Sequence, residues 1–178
     1  VAILDCDRGL FGADFRAPER MAQLITQVAG RAGRRERPGE VLIQTHHPEH
    51  PLLDTLLRDG YGRFARGLLE QRREAALPPY SHMALVRAEA VDADAPRVFL
   101  DALRRAGDPL AGDEVLLLGP VPAPMERRAG RYRQQLLLQA PRRQPLHALL
   151  RELLPRASEL DGARRVRWSV DVDPQDML

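Results

Sequence analysis

The chain has 178 residues, of which 44% are hydrophobic and 29% are charged, and its formal net charge is +2. These values lie in the ordinary range of globular proteins, and no internal repeat or low-complexity tract is present. No apolar run approaches the ~20 residues that a membrane-spanning helix needs. The single cysteine, Cys6, excludes an internal disulfide bond and a Cys-x-x-Cys metal knuckle within this sequence.

The basic residues are all arginine, 27 in number, and they are unevenly distributed. Between residues 122 and 168, 11 arginines stand against four acidic residues, which leaves a local net charge of +7. A basic region on a nearly neutral chain indicates a polyanionic partner. A solvated arginine-rich surface explains the same charge equally well, so charge alone does not decide between them.

Predicted strands and helices alternate in residues 1–76. In chain order they are a buried strand at 1–4, a helix from Pro18 to Gly30 and Gly33, a buried strand at 40–45, a helix from Leu52 that Gly60 interrupts, and a helix at 61–76. The first helix has one apolar face, formed by Met21, Leu24, Ile25 and Val28. Because Val1 already stands inside a strand pattern, we expect the chain to be a fragment. Cys6, at the end of that strand, is predicted to be a small buried hydrophobic residue.

The segment Leu77-Pro-Pro-Tyr80 is the predicted domain boundary, because two consecutive prolines exclude both a helix and a paired strand. Residues 81–178 then show the order β-α-β-β-α-β. Its predicted elements are strands at 83–91, 115–121, 131–139 and 165–172 and helices at 96–106 and 141–154, with a hairpin loop at 122–130. This order predicts a small α+β domain in which two helices cover one face of a four-stranded sheet.

One segment points to phosphate chemistry, Gln27-Val-Ala-Gly-Arg-Ala-Gly-Arg34. Each glycine permits a tight helix exit, and the arginine after it projects from a short, fixed platform. A guanidinium that reaches a transferring phosphoryl group stabilises its charge and accelerates transfer by ~10³–10⁵. Gly-Arg-x-Gly-Arg also occurs in RNA-binding tails and in ordinary turns. Those tails are repetitive and disordered, whereas this single copy lies between an amphipathic helix and a predicted strand, which favours a phosphate contact.

The pattern Gln-x-x-Gly-Arg-x-Gly-Arg resembles motif VI of the superfamily 2 helicases. The resemblance implies that Gln27, Gly30, Arg31 and Arg34 bind ATP at the edge of a second RecA-like lobe. It also implies that Arg31 and Arg34 are catalytic, with Arg34 as the arginine finger. ATP with Mg²⁺ is then the expected cofactor.

A wider resemblance is to the primosomal replication-restart DNA helicases, the PriA family (primosomal protein N′). The segments that carry it are Ile3–Asp7, Asp14–Arg20, Pro38-Gly39, Gln44–Pro48, His50-Pro51, Leu77–Tyr80, Leu118–Pro122 and Asp171–Pro174. The resemblance implies an α/β C-terminal fragment of such a helicase. Residues 1–76 are then the C-terminal portion of the second RecA-like lobe, 77–80 a linker, and 81–178 a domain that binds DNA and the single-stranded-DNA-binding protein, SSB.

The family resemblance further implies a 3′→5′ DNA helicase that recognises stalled or recombination forks and initiates primosome assembly in the bacterial cytoplasm, at the nucleoid. Its expected partners are branched and single-stranded DNA, SSB and other primosome proteins. No association with a membrane is expected. The phosphate-binding loop, the magnesium-binding acids and the zinc-binding cysteines of the family are expected before Val1. We therefore expect this chain alone neither to hydrolyse ATP nor to bind zinc.

Two groups of candidate binding residues lie in the second domain. Arg127, Arg128, Arg131, Tyr132 and Arg133 belong to the predicted hairpin, where arginines would contact phosphates and the tyrosine would stack on a base. A solvated hairpin is an equally simple explanation.

The second group comes from the family resemblance. The alignment after Pro141 implies that Arg143 and His147 bind the acidic C-terminal tail of SSB. An arginine suits a terminal carboxylate.

Other polar residues leave alternatives open. The segment His46–His50 could hold a metal, but a strand-to-helix loop capped by polar side chains is favoured because Pro48 breaks the helical spacing. Asp5 and Asp7 could form an acidic pair on one strand face. Asp14 and Arg16 fit either a structural ion pair or a DNA-side loop.

Two further functional hypotheses are a non-catalytic DNA- or SSB-binding module and another superfamily 2 helicase. A helicase of that second kind, such as a branch-migration motor, should lack the β-α-β-β-α-β domain.

Overall fold

The computed structural model describes residues 1–12, 14–32 and 40–177. The chain divides into two compact units, Val1–Gln71 and Arg72–Leu178, called unit 1 and unit 2 here. In the described residues, no helix combines the length and apolar character that crossing a bilayer requires.

Unit 1 combines two short parallel strands with helices. Its elements are β1 (Ala2–Ile3), α1 (Asp7–Leu10), α2 (Ala17–Ala32), β2 (Leu42–Ile43), α3 (Pro51–Asp59) and α4 (Tyr61–Glu74), of which the last three residues are assigned to unit 2. Ala2 pairs with Leu42 and Ile3 with Ile43. Gly60, at a φ of 80°, separates α3 from α4, as the sequence predicts.

The core of unit 1 collects side chains from one strand and every helix. Its buried members are Ile3, Cys6, Leu10, Met21, Ala22, Ile25, Leu53, Leu56, Phe64 and Leu68. Cys6 is buried as predicted, and burial raises the pKa of its thiol. The predicted apolar face of α2 is confirmed at Met21, Ile25 and Val28, whereas Leu24 is 49% exposed. The prediction of two fully buried strands is wrong, because Val1, Leu4 and Leu42 are exposed. The prediction that Gly30 ends the helix is also wrong, because Gly30 lies inside α2.

Unit 2 has the predicted order β-α-β-β-α-β. Its main elements are β3 (His82–Ala90), α5 (Ala95–Ala111), β4 (Leu116–Arg128), β5 (Arg131–Ala140), α6 (Arg143–Leu153) and β6 (Arg167–Val172). The sheet order is β4-β5-β3-β6, and every neighbouring pair is antiparallel. The predicted split arrangement is therefore confirmed.

The two helices of unit 2 cover one face of its sheet. Alternate residues of β3, namely Ala84, Val86 and Ala88, join the buried cluster with Phe99 of α5 and Leu146 of α6. Because side chains alternate along a strand, the other residues of β3 point to the opposite face. We call that the outer face, and it is defined by Met83, Leu85, Arg87, Glu89 and the residues paired with them on β5 and β6.

The predicted hairpin loop at 122–130 is wrong, because β4 continues to Arg128. The turn consists of Ala129 and Gly130 only, at φ values of 48° and 78°, which match a two-residue turn between twisted strands. β4 lies at the sheet edge, where prolines are tolerated because outward N–H groups need no partner. Its pairing with β5 is irregular between Leu118 and Arg127, the stretch that contains its prolines.

The segment Leu77–Tyr80 forms a turn, in which the Tyr80 N–H donates to the Leu77 carbonyl at 3.0 Å. Neither a helix nor a strand includes these residues, as the two prolines predict. The turn lies inside unit 2, since the division between the units falls after Gln71.

Candidate functional site

The helicase-like segment lies at the C-terminal end of α2. Gln27, Gly30 and Arg31 are all exposed there, and Gln27 and Arg31 lie one turn apart on the same side of the helix. A Cβ added at Gly30 would have no atom within 4 Å, so packing inside unit 1 does not require a glycine. Gly33 and Arg34 lie outside the described residues.

Asp14 anchors the beginning of α2. Its carboxylate is 2% exposed, accepts the Arg16 N–H at 2.9 Å, and lies 3.1 Å from a guanidinium nitrogen of Arg20. The Arg16 guanidinium instead lies over the Phe15 ring, 4.5 Å from its centre. Asp14 therefore forms a structural ion pair, with Arg20 as its partner.

Asp7 supports the loop that follows β2. It accepts hydrogen bonds from the Thr45 hydroxyl and from the His46 N–H, the latter at 3.0 Å, and these bonds lower the pKa of Asp7. Asp5 instead pairs with Arg8 at 2.7 Å. The predicted acidic pair on a strand face is wrong, because β1 ends at Ile3 and Asp7 begins α1.

The histidines of the same loop have structural contacts. His50 caps α3 by accepting the Leu52 N–H at 3.2 Å, and the Phe11 ring packs edge-on against His47 and His50 at 4.7 and 5.5 Å. The predicted capped loop is confirmed. Across the described part of the chain, no three His, Cys, Asp or Glu side chains are placed to hold a metal ion.

The hairpin of unit 2 carries its arginines on both faces. The Arg127 guanidinium carbon lies 5.2 Å from the centre of the Tyr132 ring, and these two residues pair across β4 and β5. Tyr132 also pairs with Ala90, on the helix-covered side. Arg131 and Arg133 point to the outer face, as does Arg128 through its pairing with Arg131. The five predicted hairpin residues therefore form two groups, and the tyrosine belongs with Arg127 alone.

The outer face near the hairpin contains a groove of about 300 Å³. The polar lining residues that belong to the outer face come from three adjacent strands: Arg87, Glu89, Arg133, Gln135, Arg167 and Ser169. Only Arg133 among them is a predicted binding residue. The sequence does show polar residues at alternate positions, Arg87 and Glu89 in one strand and Arg167 and Ser169 in another. These residues are recognised as one site only when the pairing of the strands is known.

Arg143 and His147 lie one turn apart on the same side of α6, as their spacing predicts. A guanidinium nitrogen of Arg143 lies 3.0 Å from a carboxylate oxygen of Asp173. His147 lines a largely apolar groove of about 740 Å³ with Leu150 and Val172 among its walls. The exposed arginine next to an apolar groove suits a ligand that ends in a carboxylate and also carries apolar side chains.

This chain is similar in sequence to proteins named replication restart protein PriA. It is 46% identical over 180 residues to the replication restart protein PriA of Haemophilus influenzae, covering 99% of this chain and 24% of that protein. The corresponding values are 33%, 100% and 22% for the Bacillus subtilis protein, and 35%, 98% and 20% for the Synechocystis protein. The chain thus spans about a quarter or less of these relatives.

Among solved structures, a de novo designed protein, Foldit4, aligns with 54% of this chain and 99% of its own length, with a TM-score of 0.40 and 10% identity. That similarity is too low to inform function. The family model described as the primosomal protein N C-terminal domain matches residues 73–175, which is nearly all of unit 2 and more than half of the chain. The chain therefore belongs to the family of the primosomal protein N C-terminal domain.

Proposed function

We propose that this chain acts in replication restart, as part of an ATP-dependent 3′→5′ DNA helicase that recognises stalled or recombination forks and initiates primosome assembly. The observation that carries the proposal is the similarity over almost the whole chain to proteins named replication restart protein PriA. In this proposal unit 1 belongs to the second RecA-like lobe, and unit 2 contacts DNA and SSB. A superfamily 2 helicase of another kind is disfavoured, since it should lack the β-α-β-β-α-β unit.

The end of α2 would contribute one side of an ATP site. Gln27 and Arg31 are exposed and adjacent, and the space around Gly30 leaves room for a ligand to approach the backbone. Arg34, which lies outside the described residues, would contact the γ-phosphate as the arginine finger. Because the sequence contains no lysine, it contains no Gly-x-x-x-x-Gly-Lys-Ser/Thr loop, so this chain alone is not expected to hydrolyse ATP. ATP and Mg²⁺ would bind with residues of a longer protein, and the zinc of the family would also bind there.

The arginine-finger role is testable in a full-length protein that carries this sequence. Arg34→Ala should reduce DNA-stimulated ATP hydrolysis by ~10³-fold or more, because the transition-state charge loses its guanidinium, while fork binding is retained. Phosphate release and DNA binding by fluorescence anisotropy measure the two properties. The exposed Arg66 of α4 offers a matched control, and Arg66→Ala should hydrolyse ATP normally. Near-normal hydrolysis by the Arg34 variant would refute the assignment.

Unit 2 would contact DNA through the hairpin. Arg128, Arg131 and Arg133 present guanidinium groups on the outer face, and such groups bind phosphate oxygens with planar, paired hydrogen bonds. Tyr132 and Arg127 form a separate stacked pair that could support a base.

Arg143 and His147 would bind the acidic C-terminal tail of SSB. Asp173 already contacts the Arg143 guanidinium, so a terminal carboxylate competes with it for the same donors. Arg143→Ala should weaken binding of an SSB tail peptide about tenfold or more, because a charge-assisted hydrogen bond contributes ~1.5–3 kcal/mol. Asp173→Asn should strengthen binding instead, because it removes the carboxylate that competes for Arg143. Asparagine also tolerates the φ of 53° found at this position, so the backbone should be unaffected. Calorimetry with the peptide measures both, and unchanged affinity in the Arg143 variant would refute the pocket.

A second candidate is a DNA- or SSB-binding module without catalysis. The observation that favours it is that unit 2 has its own core of buried residues under two helices. The gene sequence upstream of Val1 distinguishes the two: a phosphate-binding loop encoded there supports the helicase, whereas an in-frame start codon there supports the module.

A further inference from the structure

The groove on the outer face of unit 2 is built from two cross-strand rows. In the first row Arg133 of β5 and Arg167 of β6 lie on either side of Glu89 of β3. In the next row Gln135 and Ser169 lie on either side of Arg87. Because neighbouring strands are ~4.8 Å apart, the backbones of Arg133 and Arg167 are separated by roughly 10 Å. Two arginines therefore form the opposite walls of the groove.

The floor of the groove is held in place. Gln135 is 7% exposed and donates to the Met177 carbonyl at 3.3 Å. Arg87 lies 3.3 Å from the Asp171 carboxylate and also donates to the Asp176 carbonyl. Arg133 donates to the Met125 carbonyl at 3.4 Å. The donors that line the groove are thus positioned by the fold before any ligand arrives.

The groove has an excess of positive charge. Asp171 offsets the charge of Arg87, so the excess in the groove comes from Arg133 and Arg167, and Arg131 lies beside the groove on the same face. Against these three stands Glu89, whose carboxylate lies 3.8 Å from Arg131. Arg167 is exposed at the rim. A carboxylate among the arginines lowers their attraction for an anion, and this gives the site a property that can be tested.

We propose that this groove binds the phosphodiester backbone of a nucleic-acid strand that runs from the hairpin tip across β5 and β3 to β6. The proposal rests on the proposed binding of DNA by unit 2 and extends it to Arg167. Arg128, Arg131, Arg133 and Arg167 form a continuous series on one face, which suits a repeating anion better than a single carboxylate. Trp168 also lines the groove, but its ring packs against Phe99, with the ring centres 5.7 Å apart, on the helix-covered side of the sheet. Binding is therefore to the backbone and is independent of base sequence.

The test compares point variants of the full chain by fluorescence anisotropy with a labelled single-stranded oligonucleotide and a duplex of equal length, at several salt concentrations. Arg167→Ala should weaken binding about three- to tenfold and reduce the slope of log K against log salt by about 1, as expected for one lost phosphate contact. Glu89→Gln should strengthen binding, which a purely structural role for Glu89 would not produce. Arg105→Ala, on the exposed side of α5, removes the same charge from the opposite side and should leave binding unchanged.

The outcomes separate the groove from the hairpin. If Arg167→Ala and Glu89→Gln bind like the parent while Arg128→Ala is weakened, the groove proposal is overturned and DNA binding by the hairpin stands. If Arg128→Ala also binds like the parent, the proposed DNA binding by unit 2 fails as well. If Arg167→Ala lowers the affinity for only one of the two oligonucleotides, that form of DNA supplies the backbone that the groove binds. Loss of SSB-peptide binding alone in the Arg167 variant would assign the groove to an acidic peptide and overturn the proposal. Unchanged Trp168 fluorescence checks that each variant is folded.

Discussion

At the scale of single residues, Asp7 is a carboxylate that stabilises a loop, although its spacing from Asp5 suggests an acidic pair. The Thr45 hydroxyl and the His46 N–H both donate to it, and this explains the lowered pKa of Asp7. A carboxylate whose pKa is lower in the folded state stabilises that state at neutral pH. The contribution is present above the unfolded-state pKa of ~3.9 and is lost as the pH falls through the lower folded-state pKa.

Asp7→Asn should therefore lower the melting temperature of unit 1 at pH 7 and reduce its further fall on acidification below about pH 4. Glu70→Gln, an exposed charge removal on α4, is the matched control and should leave the melting temperature at pH 7 close to that of the parent. Thermal melts followed by circular dichroism between pH 7 and pH 3 measure the difference. An Asp7 variant that melts with the same pH dependence as the parent would contradict the structural role.

Gly119 of β4 has the closest backbone approach among the positive-φ glycines of unit 2. Its φ is 112°, and an added Cβ would lie 2.9 Å from the Gln135 carbonyl oxygen. Gly119→Ala should lower the free energy of unfolding of unit 2 by about 2–6 kcal/mol, since ~1–3 kcal/mol of backbone strain adds to ~1–3 kcal/mol of overpacking. Trp168, the only tryptophan of the chain, provides the fluorescence signal in a urea titration.

Gly112 provides the matched control, because its φ is 56° but no atom lies within 4 Å of an added Cβ. Gly112→Ala should cost only the backbone strain of ~1–3 kcal/mol, because a φ of 56° with a ψ of −152° is rarely adopted by residues other than glycine but no overpacking is added. Equal losses in the two variants would show that the Gln135 backbone does not restrict Gly119.

At the scale of elements, the sheet of unit 2 is the part that the sequence predicts best. Residues 83–91 alternate clearly, and the turns between the later elements contain glycine or proline, so type and order follow from local pattern. β4 was predicted too short for an equally physical reason. Its prolines and arginines resemble a loop, and only its edge position allows them in a strand. α5 similarly continues through Pro109 to Ala111, beyond its predicted end.

Candidate sites formed by neighbours in one helix can be predicted from sequence, whereas a site formed across paired strands cannot. The placement of Arg143 with His147, and of Gln27 with Arg31, follows from helical spacing and is predictable from sequence. The outer-face groove is not, because Arg87 and Arg167 are 80 positions apart in sequence and meet only through the register of β3 with β6. Likewise, the separation of Tyr132 from most hairpin arginines depends on pairing in a strand that the sequence presents as a loop.

At the scale of the whole molecule, the two units differ in how fully they bury their apolar residues. Unit 1 has two-residue strands, and its large apolar residues Val1, Leu4 and Leu42 are 67%, 72% and 62% exposed. Unit 2 has a four-stranded sheet covered by two helices. Short paired strands and exposed apolar surface give a small stabilisation per residue, so the two units should not unfold together.

Unit 1 should therefore unfold at a lower urea concentration than unit 2. Loss of helical circular dichroism should begin before the change in Trp168 fluorescence, and amides of α2 should exchange with solvent faster than those of β3 and β5. Hydrogen exchange read by mass spectrometry resolves the two regions. One coincident transition by both probes would show that the units unfold cooperatively.

The residues after β6 are held in a way that has a consequence for sequence variation. Arg87 and Gln135 donate to the carbonyl groups of Asp176 and Met177, so the sheet recognises the main chain of this segment at those two points. Every residue type supplies a carbonyl, and a substitution at Met177 leaves its acceptor in place. Insertion or deletion of one residue between Asp173 and Asp176 would instead shift both carbonyls past their donors. The segment is therefore constrained at these contacts by its length more than by its composition.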